Sequence, residues 1–147
     1  MFKHILIPVD GSLTARHAAM AAITLATSLK AKLTLIHVVN VYAYAGLGAG
    51  FAEGQAMYLS DATASANETI ATMRIDIDAA GVPCDTRVVE SNAIWRGIVE
   101  TADSVAADLI VMGTHGRGMI DRLLLGSVTQ RVLSHTRLPV MVIRGDD

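Results

Sequence analysis

Five short apolar runs, separated by segments with helical spacing, constrain this chain more than any other feature. They fall at residues 4–9, 33–39, 85–90, 109–112 and 140–143. Continuous apolar runs of this length fit strands covered on both faces. The third run sets Val88 and Val89 among polar residues, so it is expected at a sheet edge. Between the runs, Ala15, Ala18, Ala22, Leu25 and Leu29 recur three and four residues apart. So do Ala66, Ile70, Met73 and Ile77, and then Ile94, Ile98, Ala102 and Val105. Each set lines one face of a helix. The spacing predicts helices over 14–29, about 55–80, 94–105 and 127–134. Ser12 is expected to cap the first at its start and Gly81 the second at its end. Strands that alternate with helices predict a parallel sheet with right-handed crossovers, a three-layer doubly wound α/β fold. The alternation alone does not order the strands.

At 147 residues the chain fits one domain spanning 1–147, with enough length to bury a core. It is 52% hydrophobic and 18% charged, with a formal net charge of −2 and no Lys/Arg cluster. That balance argues against disorder and against a nucleic-acid-binding arm. Aromatic residues make up only 4%, so the core must be aliphatic. Cys84 is the one cysteine, which rules out an intrachain disulfide and fits a reducing compartment. The apolar run at 5–9 is too short for a secretory core, and none reaches the roughly 20 residues that span a bilayer. The expectation is a soluble cytoplasmic protein without membrane insertion.

The chemistry concentrates in residues 112–128, Met-Gly-Thr-His-Gly-Arg-Gly-Met-Ile-Asp-Arg-Leu-Leu-Leu-Gly-Ser-Val. A glycine-rich segment between a strand and a helix is suited to hold phosphate. Glycine lets a backbone approach closely, and the open N–H groups of a first helical turn attract anions. The spacing Gly113-x2-Gly116-x9-Gly126-Ser127 is neither a P-loop nor a GxGxxG fingerprint. Taken with the strand before it and the helix after it, it resembles the ATP-binding branch of the universal stress protein family. Other matching segments are Ile5-Leu-Ile-Pro-Val-Asp-Gly-Ser, Leu35-Ile-His-Val-Val, Leu124-Leu-Gly-Ser-Val and Pro139-Val-Met-Val-Ile-Arg.

The resemblance covers nearly the whole chain and implies strand order 3-2-1-4-5, as in adenine nucleotide alpha hydrolase-like folds. It implies that Pro8, Val9 and Asp10 border an adenosine and that the backbone of Val38 meets the adenine edge. Met112 and Gly113 would lie along the ribose. Gly116, Gly126, Ser127 and Val128 would hold the phosphates of ATP, AMP or ADP.

The residues themselves keep alternatives open. Asp10 is either a ligand to ribose hydroxyls or only a brace for its own turn. Ser127 is a phosphate contact, a plain N-cap, or both. Arg117 is a bidentate phosphate fork or a solvated loop charge. His115 either donates to phosphate or packs on the ribose. His4, His17 and His37 read as structural, and Cys84 as an inert thiol. A carboxylate beside phosphates favours a Mg²⁺ bridging through them. No side-chain cluster has the spacing of a metal site made by protein alone. The chain departs from the family pattern at residues 90–96, Glu-Ser-Asn-Ala-Ile-Trp-Arg, where Trp95 is either a partner contact or an inward anchor.

Three function classes follow: a nucleotide-occupied regulatory module of the stress response, a slow phosphohydrolase or nucleotidyl transferase, and a ligand-free interaction module. Phosphoryl transfer needs cations on the leaving charge and a group to orient the nucleophile. Arg117 is the one cation in view and no catalytic residue stands out, so the regulatory module with at most slow ATP hydrolysis is preferred. The apolar strand Val140–Ile143 at a sheet edge invites pairing. It is expected to carry a homodimer, with a regulatory protein partner of unknown kind. Residues 41–55, rich in small residues and uncharged over 43–52, are expected to form a long loop, functional or disordered.

Overall fold

The strands alternate their side chains between two aliphatic layers, and that alternation decides where the helices sit. In the computed structural model, which describes residues 1–41, 52–114 and 125–145, the elements are β1 His4–Pro8, α1 Leu13–Leu29, β2 Lys32–Asn40, α2 Ala52–Ala79, β3 Cys84–Ser91, α3 Ile94–Ser104, β4 Leu109–Gly113, α4 Ser127–His135 and β5 Val140–Ile143. Ile5, Ile7, Leu33, Leu35, Leu109 and Val111 point to one face of the sheet and pack against α1 and α2. Leu6, Ile36, Val38, Ile110 and Met112 point to the other and pack against α3 and α4. A two-residue period on a doubly covered sheet produces this division.

The five strands are all parallel and run in the order β3-β2-β1-β4-β5. This is the expected 3-2-1-4-5 sheet. β1 lies between β2 and β4, so the chain winds outward in opposite directions on its two sides. The gap between β1 and β4 is therefore the topological switch point, where such sheets open a crevice beyond their carboxyl ends. β3 sits at an edge as its polar content predicts, with an alternating exposure pattern.

Buried Ala15, Ala18, Ala19, Ala22 and Ala26 give α1 a face of minimal side chains. The Ser12 side chain accepts from the N–H of Ala15 and caps it, as expected. α2 ends in a Schellman motif: Val82 N–H donates to the Ile77 carbonyl and Gly81 N–H to that of Asp78. Gly81 takes φ +71 there, the left-handed conformation for which glycine is suited. The same pair of bonds closes α3 at Ala106, while at Lys30, also left-handed, the Lys30 and Ala31 N–H groups both donate to Ala26; neither residue is glycine.

The element boundaries fall within one residue of the sequence reading except at the start of α2. α2 starts at Ala52 rather than near residue 55, because Ala52 and Glu53 are good helix formers that carry the helix across Gly54. Val105 ends α3 as its C-cap. The rest of the expected loop, residues 42–51, lies outside the described residues, as does most of the expected tail.

Candidate functional site

The carboxyl ends of β1, β2 and β4 meet the first turns of α3 and α4 around a crevice. Its inner part, about 100 Å³, is mostly apolar. Pro8, Val9, Asp10, Val38, Met112, Gly113 and Val128 line it, together with Ser12, Ala15, Ile94, Ile98 and Thr129. A wider mouth of about 500 Å³ shares Asp10, Val38, Ile94, Val128 and Thr129. It adds His37, Asn40, Gly126 and Ser127, and the front of α2 supplies Tyr58, Ala62 and Ser65. Nine of the twelve residues singled out from the sequence thus border one continuous space. The other three, His115, Gly116 and Arg117, lie outside the described residues.

Each wall has a local cause. Asp10 follows the end of β1 by two residues, and its Oδ1 accepts from the Ser12 N–H at 2.9 Å. That bond makes a tight turn in which Gly11 takes φ +84. The carboxylate therefore braces its turn while also bordering the crevice, so the two readings of Asp10 are compatible.

Of the roles open to Ser127 from the sequence, the N-cap is not the one it takes. Gly126 is the N-cap and Ser127 the first helical residue, with no side-chain cap. Gly126 N–H donates to the Thr114 carbonyl at 2.7 Å, and its own carbonyl accepts from Gln130. The N–H groups of Ser127, Val128 and Thr129 have no acceptor within the helix. A residue without a side-chain oxygen at the cap leaves that first turn open toward the mouth. α3 also starts without a side-chain cap, at Ala93.

Gly113 has a reason of its own to be glycine. A Cβ there would stand 2.6 Å from Thr14 Cγ2, so α1 and the end of β4 meet only because no side chain intervenes. Gly97 plays the same part between α3 and β2, where a Cβ would stand 2.7 Å from Val38 Cγ1.

The sequence reading missed Ile94, Ile98 and Thr129. By spacing, Ile94 and Ile98 line one helix face with Ala102 and Val105, yet Ile94 is 39% exposed and stands at the crevice. The available signal was position: Ile94 follows β3 by three residues and opens its helix at the carboxyl edge. Trp95 stacks on His135 of α4, with ring centroids 4.1 Å apart and planes inclined by 28°. The Arg96 guanidinium lies 5.3 Å from the indole centroid. Trp95 is thus an anchor between two helices of its own chain.

His4 is structural as expected, buried with Nε2 2.6 Å from Thr34 Oγ1. Burial, aided by the positive charge of Lys32, lowers its pKa. Cys84 is half-buried and burial raises its thiol pKa, in keeping with low reactivity. Among the described residues no group of three or more His, Cys, Asp or Glu could hold a metal ion. No helix among them is long and apolar enough to cross a membrane.

Fold and crevice together define a doubly wound α/β protein with an open helix N-terminus at its switch point. Residues 1–144 match the universal stress protein family, and the chain belongs to that family. A universal stress protein of Methanocaldococcus jannaschii is 36% identical over 145 residues, covering 98% of this chain and 83% of the relative. Universal stress protein UspA from Lactobacillus plantarum superimposes with a TM-score of 0.89 at 27% identity, covering 97% of this chain and 98% of that one. A universal stress protein solved in complex with cAMP gives a TM-score of 0.65 at 26% identity, covering 99% of this chain and 98% of that one.

Proposed function

We propose that this protein binds an adenine nucleotide, ATP foremost, in the crevice at the β1/β4 switch point and acts as an occupancy-dependent regulatory module. The observation that carries the reading is the start of α4. A glycine N-cap leaves three N–H groups unpaired within the helix, at the positive end of its dipole and beside an apolar recess. An adenine base fits the chemistry of that recess, where Val38, Ile94, Ile98, Met112 and Val128 supply apolar walls. Asp10 stands between recess and mouth, within reach of a ribose. Gly126, Ser127 and Val128 then face the phosphates, with His115, Gly116 and Arg117 completing the set. The cAMP complex of a related chain supports an adenine nucleotide as the ligand class.

The donors offered by α4 are neutral main-chain groups. Such groups bind polyphosphate well and stabilise its cleavage weakly, since they add no full positive charge to the leaving oxygen. Turnover is accordingly slow at most. A Mg²⁺ would be held through the phosphates, with the Asp10 carboxylate bordering the same crevice, since among the described residues no cluster of His, Cys, Asp or Glu could hold it alone. The half-exposed edge strand β5, with Met141 on its open side, pairs with a second copy to form a homodimer.

The test is calorimetric titration of ATP, ADP and AMP into the wild-type protein and the Gly126→Val variant, with mass spectrometry of the denatured protein for retained nucleotide. Binding by the wild type that weakens at least tenfold in Gly126→Val supports the reading. No binding at millimolar nucleotide overturns it, and equal affinity in the variant removes Gly126 from the site. Sedimentation at tens of micromolar tests the dimer.

A further inference from the structure

Six helical hydroxyls stay within their own helix. Thr24, Thr27, Thr69, Thr72 and Ser134 donate to carbonyls four residues earlier, and Ser104 to one three residues earlier. This is the ordinary fate of such groups. Thr129 behaves otherwise. Its Oγ1 leaves α4 and donates to the carbonyl of Gly113, the last residue of β4, at 2.9 Å. The side chain is 2% exposed. The same strand end receives two further ties: Gly126 N–H donates to Thr114, and Thr114 N–H donates to Ile143 of β5.

We propose that Thr129 is a positioning residue for phosphate. Its buried hydroxyl fixes the open first turn of α4 against the end of β4, so that the Ser127 and Val128 N–H groups face the ligand. This rests on the nucleotide reading above and adds to it a residue that need not touch the ligand. The tie bears on phosphate affinity because the anion-binding groups of a helix start act only along their own direction and within the first turn. Without the hydroxyl, α4 keeps its core contact through Val132, which is fully buried, but its first turn loses one of two direct ties to the end of β4. Base binding should suffer less, since of the apolar walls of the recess only Val128 lies on α4, while Val38 lies on β2, Ile94 and Ile98 on α3 and Met112 on β4.

The experiment compares wild type, Thr129→Val and Thr129→Ser. Valine keeps the shape and removes the donor; serine keeps the donor. ATP affinity is measured by calorimetry, and amide NMR during the titration follows Ser127 and Val128 at the phosphate end and Val38 at the base end. The expected result is a five- to tenfold rise in the ATP Kd for Thr129→Val and near wild-type affinity for Thr129→Ser. At saturation, the Ser127 and Val128 amide shifts of the valine variant shrink and that of Val38 is unchanged. A uniform loss at both ends, with a matching fall in thermal stability, means a purely structural role and overturns the proposal. So does an unchanged ATP Kd in the valine variant. A wild-type protein that binds no nucleotide sinks the nucleotide reading itself, an outcome visible before any variant is made.

Discussion

Thr14 and Gly113 touch across the junction of α1 and β4, and the contact leaves no room for a side chain at 113. A built Cβ would stand 2.6 Å from Thr14 Cγ2 and 3.2 Å from the Thr14 backbone carbon. Gly113→Ala should therefore destabilise the protein by about 1–3 kcal/mol through overpacking. Urea unfolding without nucleotide measures it. In a Thr14→Ser background, which removes Cγ2, the same change should cost clearly less. Equal cost in both backgrounds would clear Thr14 of the clash.

Lys30 and Ala106 hold φ of 55° and 57° at the ends of α1 and α3. A residue with a Cβ is strained in that conformation by about 1–2 kcal/mol. Glycine relieves the strain but gives part of it back through its freer unfolded chain. Lys30→Gly and Ala106→Gly should each raise unfolding stability by about 0.5–1 kcal/mol. A loss of stability in both would mean that the side chains contribute more than their conformation costs.

Trp95 and His135 join α3 to α4 through one stacked pair. A double-mutant cycle with Trp95→Leu and His135→Leu should return a coupling of about 0.5–1.5 kcal/mol. As the sole tryptophan, Trp95 reports the contact directly: its emission should shift on His135→Leu. A coupling indistinguishable from zero would make the stack incidental.

His4 is buried against Thr34 with its pKa lowered, chiefly by burial. Its native state resists the charged form, so the unfolded chain binds the proton first as pH falls. The stabilisation is complete above the unfolded value of about 6.5 and is lost as pH falls through the lowered native pKa. Thermal melts between pH 8 and pH 5 should fall more steeply for wild type than for His4→Gln. Parallel profiles would place the titration elsewhere.

Periodicity read well where one side chain type does one job. The aliphatic runs of β1, β2 and β4 and the alanine face of α1 follow from spacing, because each must bury a defined face. Strand order needed the family resemblance, since alternation alone permits several windings. What escaped the sequence depends on contacts between distant elements. Gly113 answers to Thr14, 99 positions earlier, as well as to any ligand. Thr129 looks like any helical threonine until its hydroxyl is seen on Gly113. Ile94 fits a core stripe by spacing, and only its place at the start of α3 turns it toward the crevice. The sequence leaves Ser127 open between phosphate contact and N-cap, and only the structure puts Gly126 at the cap.

α2 runs 28 residues, but its buried positions begin at Ala66. The front half, including Tyr58, Ala62 and Ser65, borders the mouth of the crevice while contributing little to the core. Substitution of its exposed residues, such as Met57, should cost the fold little. A fluorophore grafted at Met57 would therefore watch the entrance without disturbing the foundation.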